Sequence, residues 1–189
     1  SIAIQYGLNK SLQQRISSHH SYQSKDIRLI TQFIRNYRSH PSLLQISSDL
    51  FYNSSLLSYA DSTITESLIH WSQLPNQQNF PLYFHGIVGI DEYIPEYCSF
   101  YNLYEASKIV QLIEHLLSDP SLNVSSKDIG VICPFRKQVL QIRYLLRNKS
   151  LGSIRVGSVD DYQGQEEKII FISTVISQHR SIVSTNKNV

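Results

Sequence analysis

The sequence predicts an α/β fold, a parallel sheet with helices on both faces, and three observations carry that prediction. Short apolar runs recur at residues 27–34, 81–88, 129–133, 154–159 and 168–175. Stretches with apolar residues at helical spacing lie between several of them. The chain has 189 residues, of which 41% are hydrophobic and 17% charged, enough apolar material for the core of an ordinary domain. Short strands separated by helices of a few turns are joined by crossovers, and crossovers make neighbouring strands parallel.

Taken in order, residues 1–25 are polar and rich in Ser and Gln, with a weak helical pattern from Leu12 to Ile16. They read as a connecting segment, with residues 26–189 as the domain. Residues 27–34 are apolar enough for a short buried strand. Pro41 opens a helix, since its missing N–H costs nothing at the first helical position, and Leu43, Ile46 and Leu50 follow at helical spacing with Leu44 and Phe51 beside them. Residues 53–80, rich in Ser, Asn and Gln, read as a surface insertion of loop and short helix. A buried strand is expected at 81–88 and a loop at 89–101. Asn102 followed by Glu105 is a helix-start signature of the capping-box type. Ala106, Ile109, Val110, Ile113, Leu116 and Leu117 then form one apolar stripe, and Asp119-Pro120 ends that helix. A five-residue apolar strand at 129–133 precedes a helix marked by Phe135, Val139, Ile142 and Leu146. Two further strands are expected at 154–159 and 168–175.

Composition excludes several classes. No apolar run is long enough to span a membrane, and no basic-then-apolar leader opens the chain. The sequence contains no Met and begins at Ser1, so it is expected to be a piece of a longer protein. Cys98 and Cys133 lie outside any Cys-x-x-Cys and have no His at ligand spacing. They read as free thiols of a reducing, cytoplasmic setting, and no metal site is expected. The adjacent His19-His20 pair points about 100° apart on a helix, which is poor ligand geometry. The net charge is only +2, but its distribution is uneven. Residues 81–128 carry Asp91, Glu92, Glu96, Glu105, Glu114, Asp119 and Asp128 against Lys108 and Lys127. Residues 129–159 carry no acid, and their bases are Arg136, Lys137, Arg143, Arg147, Lys149 and Arg155. Such a stretch can attract phosphate; a solvated helix face is the plainer alternative.

Two strings imitate nucleotide-binding motifs without completing them. Gly152 to Gly157-Ser158 has the glycine spacing of a phosphate loop, but no Lys follows the second glycine and a strand is expected to run through it. Ile87-Val88-Gly89-Ile90-Asp91-Glu92 resembles the acid pair that holds Mg²⁺ in nucleotide hydrolases, yet no phosphate loop precedes it. The chain by itself holds no complete catalytic centre.

Ligands of parallel sheets gather at the carboxyl ends of strands, which directs attention to three strings. Asn36-Tyr37-Arg38-Ser39-His40-Pro41 follows the first expected strand. It offers a ring that can stack on a purine and a guanidinium that can fork onto a phosphate; a capped turn with a surface Arg is the simpler reading. Cys133-Pro134-Phe135-Arg136-Lys137-Gln138 follows the strand at 129–133. Val156-Gly157-Ser158-Val159-Asp160-Asp161-Tyr162-Gln163-Gly164-Gln165-Glu166 leads to the last strand. A glycine there permits close approach of a phosphate or sugar, and Glu166 can accept hydrogen bonds from ribose hydroxyls; a turn with solvated acids is the alternative.

Together these strings resemble the second RecA-like domain of superfamily 1 helicases of the up-frameshift type. The likeness is greatest to the Armitage and Moloney-leukaemia-virus-10 branch of RNA helicases in small-RNA silencing. Leu50-Phe51-Tyr52 and Phe84-His85-Gly86 add to it, and it runs from about Ile4 to Thr174. The resemblance implies a RecA-like sheet of the P-loop NTPase type and an ATP-dependent RNA helicase, translocating 5′ to 3′ on single-stranded RNA in the cytoplasm. It implies that Tyr37 packs on the adenine and that Arg38 is the catalytic arginine finger on the γ-phosphate. Gly164 would lie near the γ-phosphate, and Gln165 and Glu166 near the nucleotide, Glu166 at the ribose. Pro134, Phe135, Arg136, Ser158, Val159 and Asp161 would lie along the RNA strand.

ATP and Mg²⁺ would be the cofactors, held mainly by a first RecA-like domain that is the implied intramolecular partner; silencing-complex proteins are further implied partners. The family's Walker A, Asp-Glu box and glutamine motif would precede Ser1, and its last motif would begin just after Val189, so this piece alone is expected to hydrolyse no ATP. Tyr162 stands where Phe is commoner, and Cys133 where Thr or Ser is usual, which removes a hydroxyl from the RNA phosphate. The rival readings are a DNA helicase of the same superfamily and a non-catalytic RNA- or protein-docking module.

Overall fold

The computed structural model describes residues 2–24, 26, 28–74 and 80–177. Residue 27 of the first expected strand, residues 75–79 of the expected insertion and residues 178–189 lie outside the described residues. The chain divides into two units, Ser1–Ala60 and Asp61–Val189.

In the first unit, three short helices, α1 (Ile2–Gln5), α2 (Leu12–Ser17) and α3 (His20–Gln23), bury no side chain. Ser11 caps α2 by accepting from the Gln14 N–H. The buried strand expected at 27–34 is corrected. Asp26 accepts the backbone N–H and the guanidinium of Arg28, and its carbonyl accepts from Leu29 and Ile30. A turn therefore occupies the start of the apolar run, and Phe33 is left exposed. The strand proper is β1 (Arg35–Asn36), which pairs in parallel with β2 (Leu57–Ser58). Between them runs α4 (Pro41–Phe51), with Pro41 in its first turn and His40 as N-cap. Leu44 and Ser48 form its buried face, whereas Leu43, Ile46, Leu50 and Phe51 are exposed. Helical spacing found this helix but assigned the wrong face. Ser48 is buried because its hydroxyl bridges the Leu56 N–H and C=O across the turn, which fixes the orientation of α4 over β2.

The second unit holds the larger core. Its short helix α5 (Ser62–Thr65) is capped by Asp61, as expected for the polar segment, yet Trp71 is buried in the core beside Leu68 and Leu74. Residues 81–88 form no strand, another correction: Leu82 is exposed and Phe84 is 86% exposed. An apolar run becomes a strand only where a neighbour takes its backbone groups, and no strand among the described residues pairs with it. The loop expected at 89–101 is instead a hairpin, β3 (Glu92–Ile94) against β4 (Ser99–Tyr101). Its connection is a single 3-10 turn over Pro95–Tyr97, closed by Cys98 with φ 44°. Tyr101 donates to the Glu92 carboxylate across the pair at 2.7 Å, so this half of the false Mg²⁺ pair is a cross-strand acceptor.

The helices α6 (Leu103–Leu117) and α7 (Arg136–Asn148) follow the sequence pattern closely. Ala106, Ile109, Val110, Ile113 and Leu116 of α6 and Val139, Ile142 and Leu146 of α7 are buried together. They cover one face of a three-stranded parallel sheet in the order β6 (Arg155–Gly157), β5 (Ile129–Ile132), β7 (Ile169–Ile172). The register places Ile132 opposite Gly157 and Ile172. Alternation along β5 sends Ile129 and Val131, with Cys133 beyond the strand end, into the core under α6 and α7. The α/β class with parallel strands is borne out.

Candidate functional site

In the first unit, Asn36 shapes the segment that carries Tyr37 and Arg38. Its side-chain oxygen accepts the N–H groups of Arg38 and Ser39 at 2.9 and 2.8 Å, and its carbonyl accepts from Tyr59. Such an Asx turn ends β1 and bends the chain into α4. Ser58 adds a hydrogen bond to the Ser39 carbonyl at 2.7 Å. Tyr37 is 67% exposed, its ring tilted against Tyr59 at 5.8 Å. The guanidinium of Arg35 lies 5.0 Å from the Tyr59 ring centre on that same residue. The backbone of this segment is thus pinned independently of the Arg38 side chain.

In the second unit, the ends of β5 and β6 bring two of the predicted strings together. Because β5 and β6 are adjacent and in register, Pro134, Phe135 and Arg136 leave the sheet beside Ser158, Val159 and Asp161. Arg136 reaches Asp161 at 3.5 Å. The Asp161 carboxylate accepts the Ser158 N–H at 2.9 Å, and the Ser158 hydroxyl accepts the Asp161 N–H at 3.2 Å. The Ser158 backbone N–H, first among several donors and cations, holds the Asp161 carboxyl below the usual carboxylate range. Asp161 therefore shapes the loop and orients Arg136. Phe135 packs edge-on against Phe100 at 5.2 Å, so hairpin and helix start share an aromatic contact. Val159 and Pro134 are exposed.

The remaining string crosses the second face of the sheet. Tyr162 is buried and its hydroxyl donates to the Arg155 carbonyl at 3.0 Å. Gly130 and Gly157 make room for it: a Cβ on Gly130 would lie 2.4 Å from the Tyr162 hydroxyl, and one on Gly157 3.2 Å from its ring. The Tyr in place of Phe thus has a use for its hydroxyl. Gly164, with φ 75° and open space around it, is needed for backbone conformation. Gln165 and Glu166 are exposed beyond it. Tyr37 and Arg38 belong to the first unit and Gly164, Gln165 and Glu166 to the second.

The acid-free basic stretch turns out to serve several separate purposes. Arg136 meets Asp161, Lys149 pairs with Glu114 at 2.9 Å, and Lys137 lies over the Tyr97 ring. Arg143 donates through Nε to the Val156 carbonyl at 3.0 Å. Arg143, Arg147 and Arg155 line a cleft of about 240 Å³. Among the described residues no cluster of three or more His, Cys, Asp or Glu could hold a metal, and no helix is long and apolar enough to cross a membrane.

Sequence reasoning missed the polar residues behind these loops. Asn102 caps α6 through the Glu105 N–H at 3.1 Å, but the reciprocal half of a capping box is not made. The Asn102 N–H instead donates to Gln138 Oε1 at 2.8 Å, and the Gln138 amide donates to the Asn102 carbonyl and to Ser173, both at 3.0 Å. Ser173 and the Val175 N–H donate to Glu105, at 2.6 and 2.9 Å. Asn102, Gln138 and Ser173 are all buried. The one signal available was Gln138 itself, directly before Val139 and four residues before Ile142, on the apolar side of α7.

Cys133 is fully buried, so its side chain faces the core and not the surface. Burial, and then the charge of Glu105, push its thiol up to about 12. An ordinary thiol loses its proton near pH 8.5. The unfolded chain therefore releases that proton first, and this contribution to stability falls as pH rises between those two values. Iodoacetamide at pH 8 is expected to label Cys98 alone in the folded chain and both thiols in denaturant. Native labelling of Cys133, read by peptide mass, would contradict its burial.

Comparison with known proteins agrees with the motif-based resemblance. The chain is 39% identical over 201 residues to helicase mov-10-B.1 of Danio rerio, covering 98% of this chain and 20% of that protein. It is 42% identical over 186 residues to RNA helicase Mov10l1 of Homo sapiens, covering 93% of this chain and 15% of that protein. It is 32% identical over 157 residues to RNA helicase armi of Drosophila melanogaster, covering 79% of this chain and 13% of that protein. The chain thus spans a fifth or less of the length of these relatives. Residues 8–188 match the family described as an AAA domain, and on that match the chain belongs to the AAA domain family.

Proposed function

We propose that this chain is the second RecA-like domain of an ATP-dependent RNA helicase, cytoplasmic and acting in small-RNA silencing, and that it translocates 5′ to 3′ on single-stranded RNA. One observation carries the reading: the Pro134–Arg136 and Ser158–Asp161 strings, distant in sequence, meet at adjacent strand ends through Arg136 and Asp161. That is the carboxyl edge where parallel sheets bind ligands. The relatives named as RNA helicases, and the match to an AAA domain, support it further.

In this reading Arg136, the Ser158 loop, Val159 and Pro134 follow the sugar–phosphate backbone, a sequence-neutral contact suited to a motor that steps along any strand. Phe135 is half-buried, part of its ring being taken by the contact with Phe100. Tyr37 packs on the adenine of ATP and Arg38 supplies charge to the γ-phosphate. Gly164 and Gln165 approach the phosphates and Glu166 the ribose. Mg²⁺ is held mainly by a first RecA-like domain, and silencing proteins are the further partners. Exposed donors at Arg136 and Gln165, with an exposed carboxylate at Glu166, are the chemistry these roles need.

The test uses the full-length protein. Single-stranded RNA is expected to stimulate its ATP turnover more than DNA of equal length and sequence, because the 2′-hydroxyl offers an extra donor and acceptor along the strand. Stimulation by DNA alone would favour a DNA helicase. Turnover that is absent with either would favour a non-catalytic docking module.

A further inference from the structure

Arg155 opens β6, is exposed, and touches the predicted nucleotide string at three points. Its Nη1 donates to the Gln165 side-chain oxygen at 2.6 Å. Its guanidinium lies 5.3 Å from the centre of the Tyr162 ring. Its carbonyl accepts the Tyr162 hydroxyl at 3.0 Å. The Gln165 N–H in turn donates to the Tyr162 carbonyl at 2.9 Å. Both ends of the segment between Tyr162 and Gln165 are therefore fastened to one residue of the sheet, and Gly164, with its positive φ, makes the bend between them.

We infer that Arg155 is a positioning residue that fixes the direction of the Gln165 side-chain amide. A guanidinium has only donors, so it can take the amide oxygen and not the nitrogen. That choice settles which way the amide points, on chemical grounds. With its oxygen engaged by Arg155, Gln165 presents outward an NH₂ group with two donors and no acceptor. A donor-only group is complementary to phosphate oxygens and repels none of them. An unheld glutamine would spend part of its time with the carbonyl oxygen facing the phosphate, which is unfavourable. The cation behind the amide polarises its N–H groups in the same direction. Tyr162 keeps the guanidinium in place: its ring is buried over Gly130 and Gly157 and lies under the cation. Among the described residues lining the cleft that Arg155 shares with Arg143 and Arg147 there is no carboxylate. Linear spacing carries no sign of this, because a lone Arg at the outward position of a strand reads as a solvated charge. The inference rests on the reading that Gln165 lies against the phosphates of the nucleotide.

Steady-state ATPase measurements on the full-length protein with saturating RNA test it, using Arg155→Ala, Arg155→Lys, Gln165→Ala and the Arg155→Ala/Gln165→Ala double variant. Arg155→Ala is expected to lower kcat by about 10- to 100-fold, the scale on which small misplacements act, with a smaller change in KM for ATP. Arg155→Lys keeps a donor at the same oxygen and is expected to restore most of the loss. The double variant is expected to be no slower than Gln165→Ala, since the two residues act as one. If Gln165→Ala is slow but Arg155→Ala is not, or if the two losses multiply in the double variant, the positioning role is overturned while the nucleotide reading of Gln165 stands. If Gln165→Ala turns over at the wild-type rate, that reading fails and the inference falls with it.

Discussion

Arg38→Ala in the full-length protein is expected to lower RNA-stimulated ATP turnover by about 10³- to 10⁵-fold, the range found for arginine fingers in related phosphoryl transfers. That corresponds to about 4–7 kcal/mol of transition-state stabilisation. Charge spreads over the transferring phosphoryl oxygens as the bond to the leaving group weakens, and a planar guanidinium meets two such oxygens at once. Arg38→Lys is expected to recover little, because an ammonium is a point charge without the fork. The fold gives a reason to read the result as chemistry. The turn around Arg38 is held by Asn36, through the N–H groups of Arg38 and Ser39, and by Ser58, through the Ser39 carbonyl. None of these bonds uses the Arg38 side chain, so all three remain available when it is truncated. Affinity for single-stranded RNA, measured by fluorescence anisotropy without nucleotide, is expected to be largely unchanged. Turnover retained near the wild-type rate would reject the assigned role.

Gln138→Ala is expected to destabilise the second unit by about 3 kcal/mol, from a buried donor left without a partner together with the cavity left by the side chain. Gln138 is the only side chain that the Asn102 N–H is seen to meet among the described residues, at 2.8 Å, and both residues are wholly buried. The Asn102 carbonyl fares better, since it also accepts the Ala106 N–H, and Ser173 keeps Glu105. One orphaned N–H therefore dominates the polar part of the loss. For a chain of this length such a change lowers Tm by roughly 6–12 °C, readable by thermal denaturation followed by circular dichroism. A melting point within a degree or so of wild type would show that the network does not carry this weight. The consequence is more than stability, because Gln138 ties the start of α6, the first turns of α7 and the end of β7 together. Those are the elements that present Arg136 on one side and lead out of β7 on the other, so loosening the tie is expected to weaken RNA binding as well.

Much of the architecture was legible because it is local. The apolar stripes of α6 and α7 fall every third or fourth residue, and β5 is an unbroken apolar run that must be covered on both faces. Pro41 and Asn102 marked helix starts through backbone chemistry that needs no distant partner. The errors share one cause. Residues 28–34 and 81–88 are apolar like strands, but a strand exists only when another supplies its hydrogen bonds, and periodicity cannot say whether one does. Residues 89–101 failed the opposite way: two three-residue strands are too short to show alternation, and their pairing through Tyr101 and Glu92 is visible only once the hairpin has formed.

For the site the division is similar. Residue types alone nominated the candidate side chains, since motif strings such as those at Tyr37–Arg38 and Gly164–Glu166 are contiguous and their chemistry limits what they can bind. Which groups hold those side chains in place emerges from the packing of the folded chain. The pairing of Arg136 with Asp161 and the seat of Tyr162 on Gly130 join residues separated by whole strands or helices. Each depends on sheet register to within one residue, because a slip of one would turn every side chain to the opposite face. Contacts of that kind are set by the three-dimensional packing of the chain, and no linear spacing encodes them.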